Sequence, residues 1–191
     1  SDKTIRLPTN KTIRLYEELT VYLFKLIEDD KLYEFLSICN ENDTYGKVLL
    51  RIIIQSGVTR RCNAGINKFS IDSDGRLYPC DSFLGIKEYC IGDIYNGLND
   101  VYHEFKNIRN YSVEKCKVCW AKHLCGGDCY YHAYINNGSP WFPDDTVCYI
   151  MKEISKMCIA LVVDLYRSFP QKMQVIYAVL SKKTIRMEPK K

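Results

Sequence analysis

Residues 116–129 read CKVCWAKHLCGGDC, four cysteines at the spacing C-x2-C-x5-C-x3-C. Two thiolates separated by two residues can face one metal centre, because a short turn aims both sulfurs the same way. Gly126 and Gly127 in the same run remove Cβ atoms where backbone must pass close to a bulky inorganic core. The surrounding stretch, 112–148, also carries Asn136-Asn137-Gly138, Pro140 and Pro143. So many turn formers leave little room for a conventional core, and thiol-bound metal is the expected staple.

The chain has ten cysteines in 191 residues, at positions 39, 62, 80, 90, 116, 119, 125, 129, 148 and 158. That is about 5%, below the ~8–10% of a short disulfide scaffold. Since SDKTIRLPTN at the N-terminus has no apolar signal region, a reducing cytoplasm is the expected location, and clustered thiols there indicate metal or redox chemistry. No run approaches the ~18 apolar residues of a membrane span. The formal charge of +4 comes from scattered Lys and Arg, so neither a membrane nor nucleic acid is an expected partner.

Periodicity predicts helix through 11–55. Leu15, Leu19, Tyr22, Leu23, Leu26 and Ile27 recur at helical spacing, and Leu32, Phe35, Leu36 and Cys39 form a second set. Asn42-Asp43-Thr44 caps a further helix through 47–54, although Arg51–Ile54 also suits a strand. Asp72-Ser73-Asp74-Gly75 is the turn of a β-hairpin, with Gly75 expected at positive φ. A short helix is expected over 99–107, and the longest over Val147–Phe169, striped by Ile150, Ile154, Met157, Cys158, Leu161 and Leu165. Pro170 ends it, and 171–180 forms a terminal helix before a basic tail.

Taken alone, the four close cysteines also suit a structural zinc site in a domain that binds a partner protein, with His123 or His132 replacing a thiolate. The wider order separates the two readings. Cys62 is followed by x12-Gly75-x4-Cys80, then the 116–129 run, then Cys148. This order resembles the seven-cysteine signature of the SPASM domain, the C-terminal extension of many radical S-adenosylmethionine enzymes that mature peptides and proteins. DGRLYPCD around Cys80 and IGDI at 91–94, close to the family's I-G-N-I, match as well. The phrase CWAKHLCGGDCYYHAY looks closer to thioether-forming maturases than to sulfatase maturases.

The resemblance implies two auxiliary [4Fe–4S] clusters. Cys62, Cys80 and Cys129 would ligate the first, and Cys116, Cys119, Cys125 and Cys148 the second. Cys148 opens the long helix, where the positive end of the macrodipole favours a thiolate. Sulfatase-maturing relatives have an extra cysteine about six residues after the first, where this chain has Asn67-Lys68. The fourth position of the first cluster is therefore open, or filled by Cys90; Cys39 and Cys158 read as core. Asp81 follows Cys80 as an aspartate follows the equivalent cysteine in those relatives, where it is a proposed proton acceptor. Asp128 reads as a loop hydrogen-bonder. Trp120, Tyr130, Tyr131 and Tyr134 flank the ligands, either shielding clusters or filling a thin core. Each fully ligated cluster carries roughly −2, so two cancel the nominal +4.

The resemblance also marks what this chain lacks. Cys125-x3-Cys129 begins the C-x3-C-x2-C loop of radical chemistry, but position 132 is His, and no alternating strand–helix run supplies a partial barrel. By itself the chain is expected to be inactive, with S-adenosylmethionine bound only in a full-length enzyme. The expected organisation is a helical linker at 1–60 from an N-terminal radical SAM barrel, an auxiliary-cluster domain at 61–169, and a C-terminal helix with basic tail at 170–191. The expected fold class is α+β: mainly helical, with a small β-hairpin and cysteine-rich loops wrapped around two metal clusters. The expected partners are that barrel and a precursor peptide or protein substrate. A stand-alone, ferredoxin-like electron carrier is the remaining alternative.

Overall fold

A computed structural model describes residues 9–40 and 42–187. The basic tail beyond Met187 and the first eight residues of the linker lie outside the described residues. The chain forms two compact units: residues up to Gly57 together with Thr146 onward, and Val58–Asp145.

The first unit is helical. It contains α1 (Thr9–Glu28), α2 (Leu32–Ile38) and α3 (Thr44–Ile53), and after the second unit α8 (Asp145–Ser168) and α9 (Pro170–Met187). Asp43 caps α3 by accepting the Gly46 N–H at 2.7 Å, and the stretch that also suited a strand is helix because Tyr45, Val48, Leu49 and Ile53 all face inward. Of the α1 stripe, Leu23, Leu26 and Ile27 are buried, whereas Leu15 and Tyr22 remain exposed. Cys39 and Cys158 are buried, as core residues should be. Tyr45 bonds Thr20 through its hydroxyl at 2.7 Å. Pro170 takes the first position of α9, where its missing N–H costs nothing, so it starts one helix as it ends another.

The second unit is built on a four-stranded antiparallel meander of β1 (Ser70–Ile71), β2 (Arg76–Tyr78), β3 (Gly92–Asp93) and β4 (Gly97–Leu98). The expected hairpin is its first half. Asp72 nucleates that turn by accepting the N–H groups of Asp74 and Arg76 and the Tyr78 hydroxyl. Gly75 follows at φ 81°, a conformation costly for any residue with a Cβ. The second hairpin was not expected from the sequence; Asp93 builds it in the same way, accepting the N–H groups of Tyr95 and Asn96. The rest of the unit comprises α4 (Asp100–Asn107), capped by Asn99, and the short α5 (Glu114–Lys117), α6 (Lys122–Cys125) and α7 (Tyr130–Asn137).

This unit holds more core than its turn formers suggest. Phe83 sits edge-on to Tyr89, Phe105 and Tyr131, with centroids 5.0, 5.6 and 5.5 Å away. Phe105 in turn meets Tyr130 and Trp141. A few large rings bury enough area to anchor short elements, and their edge-to-face geometry adds attraction beyond burial. Tyr130, Tyr131 and Tyr134 thus fill core, while Trp120 remains half exposed.

Candidate metal centre

All ten cysteines are free thiols. Cys62 lies on the irregular segment after the helical unit, held by Arg60, whose guanidinium donates to the carbonyls of Cys62, Ala64 and Lys106. Cys80 precedes the short turn Asp81–Phe83 and packs against the aromatic cluster. Cys129 caps α7, its N–H donating to the Asp128 carboxylate at 2.7 Å.

These three distant segments converge. Although Cys62 as a residue is exposed, burial pushes its thiol up, the thiols of Cys129 and Cys80 push it further, and the Ala64 backbone and Arg60 oppose them. Cys62 thus senses both Cys129 and Cys80 electrostatically. Lys68 senses Cys80 and Cys62 as well, after its main partner Asp81, which it meets at 2.9 Å. The hydrogen bond from Lys68 holds the exposed Asp81 carboxyl below the usual range.

For the other set, Cys116 is buried on α5 and Cys119 follows through a turn in which its N–H donates to the Cys116 carbonyl. Cys125 ends α6. Burial pushes its thiol up, with Cys119 and Asp128 adding to the effect and the Gly127 backbone and Arg61 opposing it. Gly126 follows at φ 78°; a Cβ there would stand 2.6 Å from the Arg60 carbonyl oxygen, so only glycine lets segment 58–60 pass the cysteine loop. Cys148, in the first turn of α8, belongs to the helical unit.

Cys90 is placed differently. Its thiol donates to the Gly92 carbonyl at 3.2 Å, and it packs on the aromatic cluster. The His123 carbonyl accepts the Val58 N–H at 2.8 Å. His132 pairs with Asp128 at 3.3 Å and with Asn136. Among the described residues no three His, Cys, Asp or Glu side chains gather as closely as a single metal ion requires.

The donors are soft thiol sulfurs on separate segments, with Arg60, Arg61 and Lys68 acting on them electrostatically, a chemistry suited to iron–sulfur ligation and to the negative charge it brings. Residues 62–120 match the family model for SPASM, described as an iron–sulfur cluster-binding domain.

This chain carries a SPASM domain.

The match takes in Cys62, Cys80, Cys116 and Cys119 and ends before Cys125, Cys129 and Cys148. An uncharacterized protein of Archaeoglobus fulgidus is 28% identical over 82 residues, 41% of this chain and 20% of that protein. The chain therefore aligns with only about a fifth of that relative's length. Sequence reading missed the cations around the SPASM cysteines, although Arg60-Arg61 directly precedes Cys62. No helix among the described residues is long and apolar enough to cross a membrane.

Proposed function

We propose that the SPASM domain holds two [4Fe–4S] clusters, the first on Cys62, Cys80 and Cys129 and the second on Cys116, Cys119, Cys125 and Cys148. The observation that carries this reading is the SPASM match over residues 62–120, and the electrostatic influence of Cys129 and Cys80 on Cys62 supports the first ligand set. The fourth position of the first cluster is open to substrate, water or another exogenous ligand, or is filled by Cys90, whose thiol donates to the Gly92 carbonyl as that of Cys125 does to the Gly127 carbonyl. Such clusters supply one-electron transfer or a Lewis-acidic iron for a ligand.

The chain's own residues prepare those sites. Arg60 pins the Cys62 carbonyl, and Arg61 lies near Cys125, where a positive charge favours the thiolate form. Asp81, which follows Cys80 and pairs with Lys68 at 2.9 Å, accepts a proton from a bound substrate in this reading. In this reading the domain serves a radical SAM enzyme that modifies a ribosomally made peptide or protein, accepting an electron from the substrate radical or binding the substrate. The barrel that binds S-adenosylmethionine belongs to the full-length enzyme, and a reducing cytoplasm suits ten free thiols.

Anaerobic reconstitution tests the proposal. The expected product absorbs broadly near about 400 nm and holds about eight irons and eight sulfides per chain. Tightly held zinc without sulfide overturns it.

A further inference from the structure

Asn110 is 3% exposed and sits where three segments of the SPASM domain meet. Its side-chain amide donates to the Val58 carbonyl at 3.1 Å and to the Lys122 carbonyl at 2.6 Å. Its backbone N–H donates to the Thr59 carbonyl at 2.8 Å, and the Val58 N–H closes the knot on the His123 carbonyl at 2.8 Å. Each segment leads within a few residues to candidate ligands: 58–60 to Cys62, 110–113 to Cys116 and Cys119, and 122–123 to Cys125 and Cys129.

The amide's orientation is fixed, because turning it over would set its oxygen against two carbonyl oxygens. That orientation leaves Oδ1 buried without a hydrogen-bond partner. An unpaired buried acceptor is costly, and the cost is borne while both amide hydrogens are engaged. What the amide provides instead is register: two donors at fixed spacing hold two backbone strands from different parts of the sequence at one separation. Gly126, whose absent Cβ lets the Arg60 carbonyl pass, is the matching relief on the opposite strand.

We propose that Asn110 is the positioning residue that sets the ligand-bearing segments of both clusters in register. The role rests on the cluster assignment above and adds to it a residue that touches no iron. Outer partners that orient metal ligands typically change metal affinity by about 10- to 100-fold when removed.

The test compares reconstituted wild-type protein with Asn110→Leu, of similar size but without donors, and with Asn110→Ser, which keeps one hydroxyl donor. Phe105→Leu, in the aromatic cluster, serves as a control that lowers stability without touching the knot. Iron release to a chelator and the low-temperature EPR spectrum of the dithionite-reduced protein are measured for each. Asn110→Leu is expected to release iron about tenfold faster or more, with both cluster signals altered, and Asn110→Ser to fall between it and wild type. Phe105→Leu is expected to keep the wild-type spectrum at equal or lower melting temperature. Should Asn110→Leu fail to fold, the serine variant carries the comparison. Asn110 variants with wild-type spectra and release rates overturn the positioning role while leaving the clusters standing. Wild-type protein that takes up no iron and sulfide overturns the cluster assignment, and this role with it.

Discussion

Lys115 meets Asp145 at 2.6 Å and donates the same ammonium to the Pro143 carbonyl at 2.9 Å. Asp128 holds the residue between them, accepting the Asp144 N–H at 3.0 Å. The side chains that precede Cys116 and Cys129 thus clamp the segment that leads, three residues on, to Cys148. Asp145 is almost fully exposed, so Lys115→Ala is expected to cost at most about 1 kcal/mol of stability. Its distinctive effect is expected on one cluster: the EPR signal assigned to Cys116, Cys119, Cys125 and Cys148 should change while the other persists. A uniform change in both signals refutes the clamp's selectivity.

Adjacent glycines separate strain from collision. Gly126 and Gly127 both have positive φ, at 78° and 109°, but only Gly126 has backbone in the way of a Cβ; at Gly127 a Cβ meets nothing within 4 Å. Gly127→Ala is therefore expected to cost about 1–3 kcal/mol from conformation alone. Gly126→Ala adds a clash with the Arg60 carbonyl and should cost more, with poorer iron loading. Thermal denaturation and iron analysis of the two variants check the ranking.

Serine substitutions sort the thiols. Cys62→Ser, Cys80→Ser and Cys129→Ser are each expected to impair one spectroscopic species, and Cys116→Ser, Cys119→Ser, Cys125→Ser and Cys148→Ser the other. Cys90→Ser is expected to leave iron content unchanged, as an open fourth position on the first cluster requires. Loss of the first species in Cys90→Ser would identify a fourth cysteine ligand.

Acid should loosen the first hairpin through Asp72. Burial opposes ionisation there, but hydrogen bonds from Arg76, Asp74 and Tyr78 together with the Arg76 charge prevail, and the carboxyl sits below its usual range. A depressed carboxylate stabilises the fold above its unfolded pKa, about 3.9, and that contribution disappears as pH falls through the lower folded value. Melting temperature measured downward from pH 6 should show this loss in wild type. Asp72→Asn, less stable at neutral pH, should show a shallower decline.

How much was legible follows from where each signal lies. The long helix was expected at 147–169 and runs Asp145–Ser168, and α4 lies within one residue of its expected start, because capping and apolar stripes are local. The Gly75 turn was legible for the same reason, and the cysteine order identified the SPASM domain before any geometry was known. The second hairpin escaped notice although Asp93 and Gly97 repeat the logic of Asp72 and Gly75; strands of two residues carry no periodicity. Phe83, Phe105 and Trp141 are far apart in sequence, so their common cluster has no linear signature. Asn110 is an unremarkable asparagine until Val58 and Lys122 are seen beside it.

The helical unit is discontinuous: the chain leaves it at Gly57 and returns at Thr146. Tension applied between residues 9 and 187 is therefore borne first by contacts among the helices, and the cysteine-bearing insert feels no load until they yield. In a single-molecule pulling record the helices would extend first and the insert second, an order set by how the chain is threaded and not by which part is stronger.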